Sequence, residues 1–590
     1  MNTQNTPNHI DIAAHTHNPA AIDPSTLADF QLTPRFEVNH RGTFWINIKT
    51  SKDGEVIEAE PIRLADPIDL IGSGVDANDD YYRIIRFKDK LSRQDKTLAL
   101  PTGEIGTNAC WQRLQSCGLF IASSKNKREK LADYLQEQGS KSAYQVSNKA
   151  GWHENAYILP SGETLQTNAR PSKIIYNGDK SQAKAYTPSG TLAEWQQNIA
   201  QYAAGNSRLC LALGIAFAAP LLSLIHAESG GFHLFGDSSD GKTTAARVAL
   251  SVWGKPSETL MTWQGTGLGF SNTATARNDG LLVLDEIGQA TPKVIGNTVY
   301  SIMNGINKVQ GAKDGGNRHL SRWRVLMLST GEKTPDAIMH NNTEWNAGQN
   351  TRLPSIPASA EKGHGIYDTT HQFTNGAELS EHLKNATEQH YGEAGRAFIA
   401  SINKHTPAKA QELIQAFMHT LPQLSGQARR VAQRFALIAA ALELAAPITG
   451  LTAGVGMIGI KQCFDDWVER NGTGKFEDER IIEQATAFMQ LHAKGVRFTD
   501  WNHKIDATNH NHAGYYKRKD KAELDEWWII PIVFEQEICQ TFDTAKVCTI
   551  LHGIDWLQRP SSGKGWKQRK YGHGRYYVLV GIEPPQNRSE

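Results

Sequence analysis

Cysteine is scarce in this chain. The six present, Cys110, Cys117, Cys210, Cys463, Cys539 and Cys548, are scattered with no CxxC spacing. That argues against a disulfide framework or a cysteine-based zinc site and reads as reduced thiols of a cytoplasmic protein. Net charge is nearly absent as well. At a formal +1, binding to a polyanion cannot be argued from the total and has to come from local patches. The N-terminus shows neither a basic stretch nor an apolar leader, so no secretory signal is expected. The uncharged stretch Leu209–Ile225 sits at the lower limit of a membrane span and contains Gly214, Pro220 and Ser223. It is expected to be a buried helix, with no membrane as partner. With 39% hydrophobic and 21% charged residues, composition excludes wholesale disorder, and the length of 590 residues predicts several domains.

The most informative stretch is Gly236-Asp237-Ser238-Ser239-Asp240-Gly241-Lys242-Thr243, a full match to GxxxxGK[ST]. An apolar run, Phe232–Phe235, precedes it and a helix-like one, Thr244–Leu250, follows, which is the strand–loop–helix context of a phosphate-binding loop. Glycines let backbone N–H groups turn inward around phosphates, and the helix N-terminus adds its positive end. Lys242 is then placed for the β- and γ-phosphates of ATP and the Thr243 hydroxyl for Mg²⁺, with Thr244 in the following helical turn counted among the nucleotide-binding residues.

A second run, Leu281-Leu282-Val283-Leu284, reads as a strand buried on both faces and ends in Asp285-Glu286. Two carboxylates at the tip of a buried strand are costly without a task. Asp285 suits Mg²⁺, and Glu286 suits polarising an attacking water. A third run, Trp323–Leu328, ends in Ser329-Thr330, small hydroxyls placed to orient that water or touch the γ-phosphate; Ser329 is taken as the catalytic one. Three such runs in this order predict an ATPase with an extra strand between the two that carry the phosphate site.

The expected architecture is multidomain α/β. It comprises a mobile tail (1–34), a β-rich N-terminal domain (35–190), a phosphate-loop ATPase core on a parallel sheet (191–374), a helical lid (375–475) and a basic winged-helix-like module (476–590). Strands are expected at Thr43–Ile48 and Tyr81–Phe87, a helix at Arg128–Gln138, and a short strand pair from Gly151 to Gly162 in which Trp152 anchors a small core. In the lid, Arg430 and Arg434 are four apart and share one helical face. The C-terminal module carries Arg559, Lys564, Lys567, Arg569, Lys570 and Arg575 between Asp555 and Glu583 with no acidic residue among them. Trp566, Tyr571, Tyr576 and Tyr577 interleave with these cations, as in a wing that meets phosphate backbone. His503, His510 and His512, like His9, His15 and His17 in the tail, are expected to be solvated rather than metal ligands.

These features together resemble a helicase family of phages, plasmids and integrative elements, long known only as a domain of unknown function. The resemblance rests on Gly151-Trp152-His153, the loop at Gly236–Thr243, Leu284–Gly288, Leu328–Glu332, Ala347–Arg352 and Gly426–Arg430, and covers roughly residues 36 to 470. It implies an ATPase core of the additional-strand, superfamily-three-like type, assembled as a ring of identical subunits with six preferred. In such rings a neighbouring subunit supplies an arginine to the nucleotide; Arg352 is chosen here, with Arg322 and Arg324 as rivals. Arg430 or Arg434 would reach the γ-phosphate from within the same subunit. The stretch Asn307–Arg318, with Gly315-Gly316 as turn, occupies the place of the hairpin with which related viral helicases grip single-stranded DNA. Lys313 at its tip, with Lys308 and Arg318, would contact phosphates.

The expected function is an ATP-dependent DNA helicase or translocase, on single- or double-stranded DNA, in replication of a mobile element. Two alternatives stay open: an ATP-switched DNA-binding initiator or regulator that unwinds nothing, and a protein-remodelling or defence ATPase.

Overall fold

The computed structural model describes residues 32–137, 139–166, 173–311, 316, 320–339, 347–424, 426–472, 476–503, 511–519, 524–540, 542–561, 565–570 and 574–585. The chain divides into two compact units, with the boundary between Val146 and Ser147.

The first unit is β-rich. Asp69–Val75, Tyr81–Lys88 and Asp95–Pro101 form an antiparallel meander, and Ala143–Gln145 adds parallel to Ser73–Val75. The strands Arg35–Asn39, Gly42–Ile46 and Ile62–Ala65 form a second antiparallel set. Helices Asn108–Ser116 and Lys125–Glu137 pack on a core that includes Leu64, Ile85, Leu100, Trp111 and Leu131. The expected strands at Thr43 and Tyr81 and the helix near Arg128 are all present.

The second unit is built on a parallel sheet. In chain order its elements are α1 (Ser207–Ala218), β1 (Gly230–Phe235), α2 (Lys242–Ser251), β2 (Met261–Thr262), β3 (Gly280–Asp285), α3 (Pro292–Asn304), β4 (Val325–Gly331), α4 (Ala347–Arg352) and β5 (Ser355–Pro357). Strand order is β2-β3-β4-β1-β5, every neighbouring pair parallel. β4 therefore lies between the loop strand β1 and the carboxylate strand β3, the extra strand the sequence predicts. All strands run the same way, so β1, β3 and β4 end at one edge and begin at the other.

Every residue of α1 is buried, which places most of the uncharged 209–225 stretch inside the main core, with Ser223, Leu224 and Ile225 half-buried at its end. Its one cation, Arg208, donates to the Pro357 and Ser359 carbonyls and pairs with Asp466 at 2.7 Å. Among the described residues no helix is long and apolar enough to cross a membrane. Trp152 packs against this core and donates Nε1–H to the Pro220 carbonyl at 2.7 Å, the anchoring role expected of it.

Helices follow: α5 (Gly376–Gln389), α6 (Thr406–His419), α7 (Gly426–Leu444) and α8 (Val455–Asn471). The last part of the chain holds α9 (Phe476–His492), β6 (Glu526–Ile529), α10 (Thr544–Gly553), β7 (Leu557–Gln558), β8 (Gln568–Lys570) and β9 (Gly574–Val580). Strand β9 pairs antiparallel with β6, β7 and β8. One face of this sheet shares a core with α9 and α10 that includes Ile481, Met489, Trp527, Val547 and Leu579.

Candidate active site

The loop after β1 turns through two left-handed positions, Ser239 at φ 72° and Gly241 at φ 91°. Gly241 fits because a side chain there would be strained and would press on Ile366. The turn delivers Lys242 as the first residue of α2. Lys242 is 7% exposed, and its ammonium donates to the carbonyls of Gly236 (2.9 Å) and Asp237 (2.6 Å). The loop is held from both sides. Gly236 N–H donates to the Gly331 carbonyl at 3.2 Å, and Ile366 N–H donates to the Asp240 carbonyl at 2.8 Å.

Asp285 ends β3 beside this loop. The Thr243 hydroxyl donates to its carboxylate at 3.1 Å, and the Thr330 hydroxyl donates to its Oδ1. Thr330 Oγ1 in turn accepts the Glu286 backbone N–H at 3.0 Å. Glu286 sits at φ 59°, ψ 76°, a left-handed conformation that costs on the order of 1–3 kcal/mol for a residue with a Cβ. The Thr243 hydroxyl at the end of the phosphate loop, the Asp285 carboxylate, Thr330 of β4 and the Glu286 backbone N–H thus meet in one connected cluster. A hydroxyl and a carboxylate 3.1 Å apart are hard oxygen donors of the kind Mg²⁺ takes.

Ser329 does not join that cluster, in correction of the sequence expectation. It is fully buried, and its hydroxyl is bound by His233 Nδ1 (2.8 Å) and Trp263 Nε1 (3.0 Å). The next residue, Thr330, makes the contact instead. Successive side chains of a strand point to opposite faces, and in a strand buried on both faces the pattern does not say which one meets Asp285. Burial pushes the His233 imidazole down to about 4, so it is neutral. Neither His233 nor Trp263 was singled out in the sequence; both are far from Ser329 along the chain and carry no motif.

The arginines lie at the other edge. Arg434 donates to the carbonyls of Ser229 (3.1 Å) and Thr351 (3.2 Å), and burial lowers it to about 10. Ser229 precedes β1, whereas the phosphate loop follows it, so the two sites are separated by about 20 Å of strand. Arg430 is exposed and lines a cavity of about 760 Å³ with Arg352 and Arg434. Neither Arg430 nor Arg434 is therefore placed at the phosphate loop of its own chain; spacing along a helix gives a shared face but not the end of the sheet that face reaches. Arg352 ends α4 and donates to Asn304 Oδ1 at 2.6 Å. Arg322, Arg324 and Arg352 also line an adjoining cavity of about 430 Å³. From the helical region, Arg470, unmarked by any motif, lies with its guanidinium 4.6 Å from the ring centroid of Phe235, the last residue of β1.

The expected hairpin has its base here: Ile306 bridges antiparallel to Arg322, and Asn307 N–H donates to the Ser321 carbonyl at 3.2 Å. Lys308 is exposed; Lys313 and Arg318 lie outside the described residues. In the last part of the chain, Arg569 and Arg575 are exposed and directly opposite each other across β8 and β9. Lys567 is placed differently from expectation, bonded to Glu535 at 2.8 Å, a contact that holds the Glu535 carboxyl below its ordinary range. Lys564 and His510 lie outside the described residues, and His503 sits 3.3 Å from Asp500.

Residues 36–322 match the family described as Domain of unknown function (DUF927). The match spans the β-rich strands, the phosphate loop and the Asp285-Glu286 pair, as the sequence resemblance implies. No curated protein matches the chain. Among solved structures, the SCCmec type IV Cch, described as an active helicase, is similar over 94% of this chain and 98% of its own, with a TM-score of 0.69 and 19% identity. That likeness shows a shared fold extending well beyond residues 36–322. The apo A form of the NrS-1 C-terminal region is 13% identical over 68% of this chain and 90% of its own, but at a TM-score of 0.25 it carries no argument.

Proposed function

We propose that this chain is an ATP-hydrolysing DNA helicase or translocase of a mobile element, working as a ring of identical subunits, six by preference. The observation that carries the reading is the single hydrogen-bonded cluster joining Thr243, Asp285, Thr330 and the Glu286 backbone beside a complete phosphate loop. Sharing a fold with a protein described as an active helicase supports the motor class.

In this reading the backbone N–H groups of residues 237–243 cradle the phosphates of ATP, and the Lys242 ammonium leaves the loop carbonyls for the β- and γ-oxygens. Thr243 and Asp285 would hold Mg²⁺, which when bound neutralises charge on those oxygens. Glu286 orients and polarises the attacking water, its place set by the left-handed turn and by the Thr330 bond to its N–H. Arg352 completes the site of an adjacent copy, because its own loop lies across the sheet.

DNA is the proposed polymer. Arg569 faces Arg575 on an exposed hairpin, and like charges directly opposite are destabilising unless a polyanion lies across them. Lys308, with Lys313 and Arg318, would contact a single strand, and Lys564, Lys570 and the two hairpin arginines would contact phosphate backbone.

The test is ATP hydrolysis by the full chain with and without single-stranded DNA, beside Lys242→Ala, followed by strand displacement on a forked duplex. We expect DNA to stimulate hydrolysis and Lys242→Ala to lower it by about 10²-fold or more. Hydrolysis indifferent to DNA would sink the motor reading in favour of protein remodelling. DNA-stimulated hydrolysis without strand displacement would favour the ATP-switched binder.

A further inference from the structure

Three buried side chains form a polar chain through an apolar layer beneath the carboxylate cluster. His233 and Ser329 are register partners on β1 and β4, and Trp263 follows β2. Each is 0% exposed. Around them on this side of the sheet pack Leu284, Ile287 and Met327.

The donors fix the order of protons. Trp263 Nε1–H can only donate, so Ser329 Oγ accepts it at 3.0 Å. The single Ser329 proton then goes to His233 Nδ1 at 2.8 Å. His233 Nε2 therefore carries the ring proton and donates to the Lys333 carbonyl at 3.0 Å. All three groups are satisfied, and removing any one leaves a buried polar atom without a partner, at a cost of about 1–3 kcal/mol. Apolar side chains of similar size would fill the same space with no such demand.

Both ends of this chain attach to the site. The Trp263 backbone N–H donates to the Asp285 carbonyl at 3.2 Å. The His233 ring packs on Gly331, where an added Cβ would come 3.3 Å from His233 Cε1, and Gly331 supplies the carbonyl that holds the Gly236 N–H. Thr330 lies between Ser329 and Gly331, with both neighbours fixed by the same imidazole.

We propose that His233, acting through Ser329 and Trp263, is a positioning residue that sets the Thr330–Asp285 contact and with it the placement of Glu286. This rests on the reading of the phosphate loop as an ATP site. Its role falls on turnover more than on nucleotide binding, because the loop is also held from its other side by the Ile366 N–H on the Asp240 carbonyl.

The experiment compares His233→Leu, which keeps a side chain of moderate size and removes both hydrogen bonds, with His233→Gln, which keeps a donor and an acceptor. For each, steady-state ATP hydrolysis is measured on the full chain, together with calorimetric affinity for a non-hydrolysable ATP analogue and the melting temperature. We expect His233→Leu to lower kcat by about 10- to 100-fold, the effect of displacing a reacting group by around an ångström, with analogue affinity unchanged. His233→Gln should recover most of that loss. Wild-type kcat in His233→Leu overturns the proposal. So does an affinity that falls as far as kcat with no recovery by Gln, the pattern of a purely structural residue. If His233→Leu does not fold, Ser329→Ala removes one hydroxyl and is expected to show the same split. A wild-type chain that binds the analogue but is insensitive in kcat to Ser329→Ala refutes the positioning role alone. A wild-type chain that neither binds nor hydrolyses ATP refutes the site reading and the inference with it.

Discussion

At the edge where its strands end, the parallel sheet presents the loop with its lysine beside a hydrogen-bonded cluster of Thr243, the Asp285 carboxylate, Thr330 and the Glu286 backbone N–H. At the edge where they begin, about 20 Å away, it gathers Arg322, Arg324, Arg352 and Arg434 around two adjoining cavities. The first edge has the parts for holding a polyphosphate and activating water but no arginine from the second. The second has cationic charge and no loop to present a phosphate. Strand direction alone keeps them apart within one chain. In the proposed reading the reaction uses both edges, and that reading therefore needs two copies.

The comparison can be broken or sharpened at several points. The largest structural effect is expected for Arg434→Ala. Its guanidinium serves the Ser229 and Thr351 carbonyls, and its loss leaves them unpaired for about 2–3 kcal/mol of stability. Affinity of the folded protein for an ATP analogue should not change. A selective loss of analogue affinity with normal stability would return Arg434 to the phosphate site.

Asp279, just before β3, sharpens the same contrast through pH. It is 2% exposed at φ 51°, one carboxylate oxygen has no partner, and burial raises it to about 6 from 3.8. A raised acid favours the protonated folded form. Its penalty is absent below about pH 4, grows between pH 4 and 6, and is complete above 6, at about 1–3 kcal/mol. Asp279→Asn should therefore raise the melting temperature at pH 8 and lose that gain towards pH 4. An equal gain at both pH values would contradict the assignment.

The smallest effect concerns the exposed hairpin. Arg569→Ala relieves a like-charge pair and should stabilise the last part of the chain by a few tenths of a kcal/mol, on the order of cross-strand pairs. The same change should weaken DNA binding about equally for all sequences and reduce the slope of log affinity against log salt by about one. An unchanged salt slope would remove this hairpin from the DNA interface.

How much of this was legible in the sequence follows from the range of the interactions. Lys242, Thr243 and Asp285 announce themselves because a phosphate loop and an acid-tipped strand are local patterns. The interposed strand β4 was readable from three apolar runs in order. The pattern points to the Ser329-Thr330 pair but does not choose between them, because alternation is silent in a strand buried on both faces. For Arg430 and Arg434, i, i+4 spacing tells that they share a helix face and nothing about which sheet edge that face meets. Lys567 reads as a free cation until Glu535, brought in from another element, is placed beside it. The His233–Ser329–Trp263 chain joins residues from three separate strands or their ends, and no local pattern marks such a set.

The separation of the two edges is tested most directly by mixing two inactive variants. Lys242→Ala lacks the loop ammonium and keeps Arg352; Arg352→Ala lacks the arginine and keeps Lys242. Each alone should lose hydrolysis, by about 10³-fold or more for the arginine acting across subunits. If the two edges complete one site between adjacent copies, an equimolar mixture allowed to assemble should regain ATP hydrolysis well above either variant. A mixture no more active than its components, with mixed assembly verified, would contradict the account.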